Sequence, residues 1–177
     1  VLVGIAQLAT YHDADLNTWI PIQEAQRETA EEDPDAVLSV TVDLPRVDTI
    51  HLNTLGLKTL GTRLAREFRE HFYGHPIDAS ARLVQARLVS FGRGIELTYD
   101  AAVKSGDAAL YRARDAQGDL PIRGMSISGA VVKLTLGRAA SGSTSVSYGY
   151  SRLPNSLWLE DNAGTAVAVY LDFPVTP

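Results

Sequence analysis

The chain has 177 residues, 45% hydrophobic and 21% charged, a balance that fits a folded domain of ordinary core size and excludes wholesale disorder and collagen-like or fibrous structure. A net charge of −5, with 16 Lys and Arg scattered rather than striped along one face, excludes a basic field for a nucleic-acid backbone. There is no cysteine, so disulfides, thiolate metal sites and a cysteine nucleophile are excluded too.

In chain order, residues 1 to 9 form a nearly continuous apolar run, the pattern of a parallel strand buried on both faces. The chain starts on this run (Val1-Leu2-Val3-Gly4-Ile5-Ala6) without Met, which reads as a truncated or processed chain. No apolar run approaches the ~18 residues of a membrane span, and no basic segment precedes one as in a signal peptide. Asn17 or Thr18 can cap a helix over about 19 to 32, with Pro21 in its first turn and Asp33-Pro34 as its stop. Residues 37 to 42 read as a second strand, and Leu57, Leu60, Leu64, Phe68 and Phe72 follow the stripe of an amphipathic helix. Residues 1 to 76 therefore read as the closing part of an open parallel α/β sheet. Two strands and two helices cannot cover both faces of such a sheet, so an exposed apolar edge on the first strand is expected, or another chain covering it.

The texture changes near residues 76 to 80, and residues 77 to 177 read as a β-rich, sandwich-like part. Its expected strands are 82–91, 95–99, 110–114, 125–127, 130–136, 145–150 and 166–171. Trp158, Tyr148 and Tyr150 are aromatic enough to stack on sugar rings, but the two tyrosines, two residues apart on a strand, read as core. His71 and His75 read as the charged end of the second helix. The four histidines lack a paired-ligand spacing such as His-x-x-x-His, so no metal site is expected.

The stretch that carries chemistry is Val42-Asp43-Leu44-Pro45-Arg46-Val47-Asp48-Thr49-Ile50-His51-Leu52, between the second strand and the second helix. That is the edge of an open α/β sheet where active sites form. An Asp three residues before a His can accept the ring Nδ1–H and leave Nε2 free as a general base; the plain alternative is a capped turn. His12 and Asp13 follow the first strand to the same edge and, with Arg46, are candidates for touching a substrate, or are solvated loop residues.

Asp48-Thr49-Ile50-His51-Leu52 before an amphipathic helix resembles the last block of SGNH hydrolases. Several other pieces resemble the sialate O-acetylesterase branch of the carbohydrate esterases: Ala6-Gln7-Leu8, Asn17-Thr18-Trp19, Val42-Asp43-Leu44, Ile127-Ser128-Gly129, Val146-Ser147-Tyr148-Gly149-Tyr150, Pro154-Asn155-Ser156-Leu157 and Asp161-Asn162-Ala163-Gly164. The resemblance implies a flavodoxin-like SGNH domain, of which this chain holds the C-terminal part, and a serine esterase acting on O-acetylated sugars without a cofactor. It makes Asp48 and His51 two members of a Ser-His-Asp triad. The serine block and the oxyanion donors of that family are missing here, so an N-terminal segment, from the same precursor or a separate chain, is the implied partner, and the chain alone is expected to be inactive. A secreted or periplasmic setting goes with the family, with a virion as the other setting. The alternative function is a noncatalytic carbohydrate-binding or structural module of a virion or cell surface.

Overall fold

The computed structural model describes residues 1–74, 80–151 and 156–177. It opens with a β-α-β unit: β1 (Val3–Ala6), α1 (Leu16–Glu32) and β2 (Ala36–Ser39), with Val3 opposite Ala36 and Ala6 opposite Ser39 in a parallel pair. Then α2 (Thr54–Tyr73) lies against that pair. The close approach depends on Gly4, where a Cβ would stand 2.8 Å from the Phe68 ring. Asn53 caps α2 by accepting from the Gly56 amide at 2.9 Å, and Gly74 ends it in the left-handed conformation, at φ 63°.

Two expectations for this part need correction. α1 starts at Leu16 rather than near 19, because Asp15 and not Asn17 or Thr18 takes the cap, accepting from the Asn17 amide at 3.0 Å. Pro21 consequently falls in the second turn, where it removes a donor from the helical ladder. The first strand is four residues long and not buried on both faces: Val1, Leu2 and Val3 are 102%, 47% and 40% exposed. The parallel sheet has two strands among the described residues, β1 and β2, the number read for this part from the sequence. Among the described residues β1 pairs with β2 alone, and Val3 is the one large apolar residue of β1 that is exposed.

The β-rich part contains β3 (Leu83–Val89), β4 (Gly94–Tyr99), β5 (Val103–Lys104), β6 (Tyr111–Asp115), β7 (Gly118–Leu120), β8 (Ile122–Ser128), β9 (Val131–Leu136), β10 (Thr144–Tyr148), β11 (Glu160–Asp161) and β12 (Tyr170–Val175). They form two four-stranded antiparallel sheets, ordered β3-β4-β9-β8 and β12-β10-β6-β7, and a small β5-β11 pair. Ile95, Leu97, Val132 and Leu134 from the first sheet share one buried cluster with Val146, Tyr148 and Tyr170 from the second, and that cluster continues into Ile20, Val40 and Val42 of the α/β part. The chain is thus an α/β unit joined to a β-rich unit through continuous apolar packing, which at about 25 cal/mol per Å² of buried apolar surface is the main stabilising force. Tyr148 is fully buried, as expected for core.

The last expected strand, 166–171, is displaced to Tyr170–Val175. Ala166, Val167 and Val169 are buried like strand residues, but their backbone bonds go elsewhere: the Val167 amide to the Leu159 carbonyl at 2.8 Å and the Val169 amide to the Gln7 side chain at 3.0 Å. The boundary expected near 76 to 80 falls mostly on residues 75–79, which lie outside the described residues, as do His75 and the Leu153-Pro154-Asn155 turn. Among the described residues no helix is long and apolar enough to cross a membrane.

Candidate active site

Residues 40 to 53 leave the C-terminal end of β2 and fold into a tight loop before α2. The loop is closed by its own backbone. The Val47 amide donates to the His51 carbonyl at 2.9 Å, and the Asn53 amide to the Pro45 carbonyl at 3.0 Å. Its base is tied to the strands below, since the Thr41 hydroxyl donates to the Gln7 carbonyl and Arg63 on α2 forks onto Asp43 at 2.8 and 2.6 Å.

At the loop's outer end, Asp48 uses both carboxylate oxygens. One accepts from the Ile50 amide at 2.9 Å and the His51 amide at 2.7 Å, and the other lies 2.8 Å from Nδ1 of the His51 ring. The amides of His51 and Ile50, then the ring, hold the Asp48 carboxyl well below the usual carboxylate range. An ionised carboxylate only accepts, so the proton between the two groups belongs to Nδ1, which leaves Nε2 with its lone pair in the neutral ring. Both side chains are open to solvent, at 50% and 75% exposure, so Nε2 is free to meet another molecule.

The other sequence candidates lie at the same edge with different partners. Arg46 donates through Nη1 to the carbonyl of Thr10 and to its hydroxyl at 2.6 Å, tying this loop to the one after β1. The His12 amide donates to the Thr49 carbonyl at 3.4 Å, which brings His12 beside the Asp48–His51 loop, and its Nδ1 lies 3.0 Å from the Asp13 carboxylate. Asp13 therefore pairs with its neighbour and not with His51. His71, away from this edge, lies 2.9 Å from the Pro34 carbonyl through Nε2. Among the described residues no group of three or more His, Asp or Glu side chains converges as a metal site.

Sequence reasoning missed the supports. Gln7 is fully buried; its amide nitrogen donates to the Gln23 and Val169 carbonyls at 3.0 and 3.1 Å, and its oxygen accepts from the Val169 amide. It joins β1, α1 and the β-rich part at one point. The available signal was a lone polar residue inside the apolar run of residues 1 to 9. Arg63 is similarly buried, and its Nη2 also reaches the Gly164 carbonyl at 3.3 Å.

No protein-family profile matches this sequence, and no curated protein does. Among solved structures the chain is similar to a carbohydrate acetylesterase from Xanthomonas citri, with a TM-score of 0.75 and 21% identity over 94% of this chain. The chain spans 40% of the length of that protein. The likeness shows that the two share a fold. A match to the N-terminal part of a bacterial S-layer protein, 9% identical over 89% of this chain and 34% of that one, has a TM-score of 0.45, too low to relate the folds.

Proposed function

We propose that this chain is the C-terminal part of an SGNH-type carbohydrate O-acetylesterase of the sialate O-acetylesterase kind, in which Asp48 orients His51 and His51 acts as general base and then general acid. The observation that carries the reading is the 2.8 Å contact between the Asp48 carboxylate and His51 Nδ1, on a loop leaving the C-terminal end of a parallel strand. The shared fold with a carbohydrate acetylesterase supports it. In this reading residues 1–76 close a flavodoxin-like domain and residues 77–177 form an appended β-rich domain.

The nucleophilic serine and the oxyanion donors come from an N-terminal segment, in the same precursor or a separate chain. Two features support that partner. Among the described residues β1 pairs with β2 alone and its Val3 is 40% exposed, and the α2 stripe remains partly open at Leu57 and at Gly61, over which a Cβ would meet nothing within 4 Å. The next strands of the same sheet would cover both.

In the reaction His51 Nε2 takes the serine hydroxyl proton as the serine oxygen bonds to the acetyl carbonyl carbon. The tetrahedral oxyanion collapses, the bond to the sugar oxygen breaks, and His51 returns the proton to that oxygen. Water then attacks the acetyl-serine with the same base, releasing acetate. Asp48 stays ionised throughout and stabilises the imidazolium. The test is labelling by a serine-reactive fluorophosphonate after co-expression with the upstream coding segment. One serine of that segment should be labelled, and His51→Ala should abolish the labelling in folded protein. An unlabelled assembly that still contains Asp48 and His51 in contact would leave this chain as a noncatalytic module.

A further inference from the structure

A second concave surface lies on the outer face of the β12-β10-β6 sheet, and nothing in the acyl-transfer chemistry uses it. On β6, Arg112 and Arg114 alternate with the buried Tyr111 and Ala113. On β10, Ser147 stands opposite Arg112 and Ser145 opposite Arg114, so the four side chains share one face. Two hollows of about 160 and 290 Å³ lie along this face and share Arg114 and Asp172 as common walls. Neither alone reaches the range of small-molecule sites, roughly 300–1,000 Å³, but together they make an elongated trough.

Asp172 sits in that trough in an unusual state. It is a non-glycine residue at φ 50° within β12, opposite a register shift between Val146 and Tyr148 on β10. Bulges of this kind re-aim a side chain, and residues held at positive φ cluster where a site needs them. Here the exposed carboxylate accepts from the Ser145 hydroxyl at 3.1 Å and the Ser147 hydroxyl at 3.4 Å, leaving acceptor capacity toward solvent. At the other end the Arg112 guanidinium stacks 4.9 Å from the Tyr150 ring centre, and the Tyr150 hydroxyl donates to Asn17 at 2.9 Å.

We infer that this trough binds a neutral stretch of glycan, remote from the sugar whose ester is cleaved; the choice of a sugar rests on the esterase reading above. Planar guanidinium groups, carboxylates and hydroxyls beside an aromatic ring are the groups that recognise sugar hydroxyls and their apolar faces. Charge argues for a neutral ligand. Arg112 and Arg114 both lie against Asp119, at 3.1 and 3.4 Å, Asp115 in the trough wall is forked by Arg138, and Asp172 is the third anion, so three cations meet three anions and no field remains for an acidic sugar. Position argues for a polymer. Asn17, a trough residue at the start of α1, is five residues after His12, at most about 17 Å of extended chain, and the His12 amide is bonded to Thr49 beside the Asp48–His51 pair. One glycan chain of several sugars could then lie in the trough and present an acetylated unit at His51.

The experiment is calorimetric titration of the 177-residue chain with β-1,4-linked glucose, mannose and xylose hexasaccharides, and with hexagalacturonic acid as the acidic comparator. Because no turnover is read, it is independent of whether the assembled protein is an esterase. The expected result is binding of at least one neutral hexasaccharide in preference to the acidic one, weakened at least about tenfold by Asp172→Gly and by Arg112→Ala. Glycine accepts the positive φ, so Asp172→Gly should keep the fold, while Asp172→Asn, which retains an acceptor oxygen, should restore most of the binding. A folded chain that binds none of the four, binds the acidic one best, or binds equally well in both trough variants overturns the inference. Binding that follows the prediction while acetate release by the assembled protein is absent would sink the esterase reading alone.

Discussion

Arg63 grips Asp43 with both terminal nitrogens, at 2.8 and 2.6 Å, and the same guanidinium donates to the Val40 carbonyl at 2.8 Å. Both side chains are largely shielded from water, at 8% and 14% exposure. The pair thereby fixes the stem of the loop that carries Asp48 and His51 against α2. Breaking a shielded ion pair by removing one partner strands the other charge, which costs about 3–5 kcal/mol. Arg63→Ala should lower the urea midpoint by that equivalent, and Arg63→Lys should recover only part of it because an ammonium cannot make the fork. A midpoint unchanged in Arg63→Ala would contradict the assignment.

Gln7 gives a second, independent prediction. Gln7→Leu keeps the bulk but leaves the Val169 amide and the Val169 and Gln23 carbonyls without their side-chain partner in a buried setting. The loss should be roughly 3 kcal/mol or more, summed over the stranded groups. Equilibrium unfolding reads it directly, and amide exchange at Val169 should accelerate in the variant. A neutral substitution would mean that Gln7 does not join the two parts.

These two residues also mark how far the sequence could be read. The two helices, both β-α-β strands and most of the β-rich strands follow from periodicity, since apolar stripes and alternation are local signals. The spacing of Asp48 and His51 permitted their contact without deciding it against a capped turn, and both are present, since Asp48 also accepts from the Ile50 and His51 amides. What was not legible is long-range. Residues 166–169 look like a strand, yet Gln7, more than a hundred and fifty positions away in sequence, takes the Val169 amide. Asp15, Asn17 and Thr18 are all competent caps, and only the packed loop decides for Asp15. Asp172 carries no sequence mark of its positive φ, which goes with the bulge in β12, where Leu171 and Asp172 together stand against Ser147 of β10.

Glu67 sets the sign of one pH effect. It is buried on α2, and that burial pushes its carboxyl up, with Glu70 adding to the rise and Arg82 and Arg66 opposing it. A folded-state pKa above the unfolded value means that the group favours the fold at pH below about 4.3 and loses that contribution as pH rises through the folded value. Glu67→Gln should therefore gain stability relative to wild type on going from pH 4 to pH 7.5. Chemical denaturation of both proteins at the two values checks the sign; a variant that loses ground as pH rises would contradict it.

Gly56 lets α2 start directly beneath the candidate loop. A Cβ there would stand 2.5 Å from the Pro45 carbonyl oxygen, which accepts from the Asn53 amide. Gly56→Ala should displace the 45–53 segment and cost about 1–3 kcal/mol through overpacking, despite alanine's better helix propensity. Chemical shifts of the Ile50 and His51 amides, both bonded to Asp48, should move in the variant. Unchanged shifts and stability would show that the helix start gives way instead.

The most direct test of the account is acetate release from an O-acetylated oligosaccharide, measured for this chain assembled with the serine-bearing segment proposed above, for the same assembly with His51→Ala, and for the 177-residue chain alone. The account predicts saturable turnover by the assembly, a fall of at least about a thousandfold in folded His51→Ala, and none above buffer for the chain alone. Undiminished turnover in a folded His51→Ala assembly would contradict it.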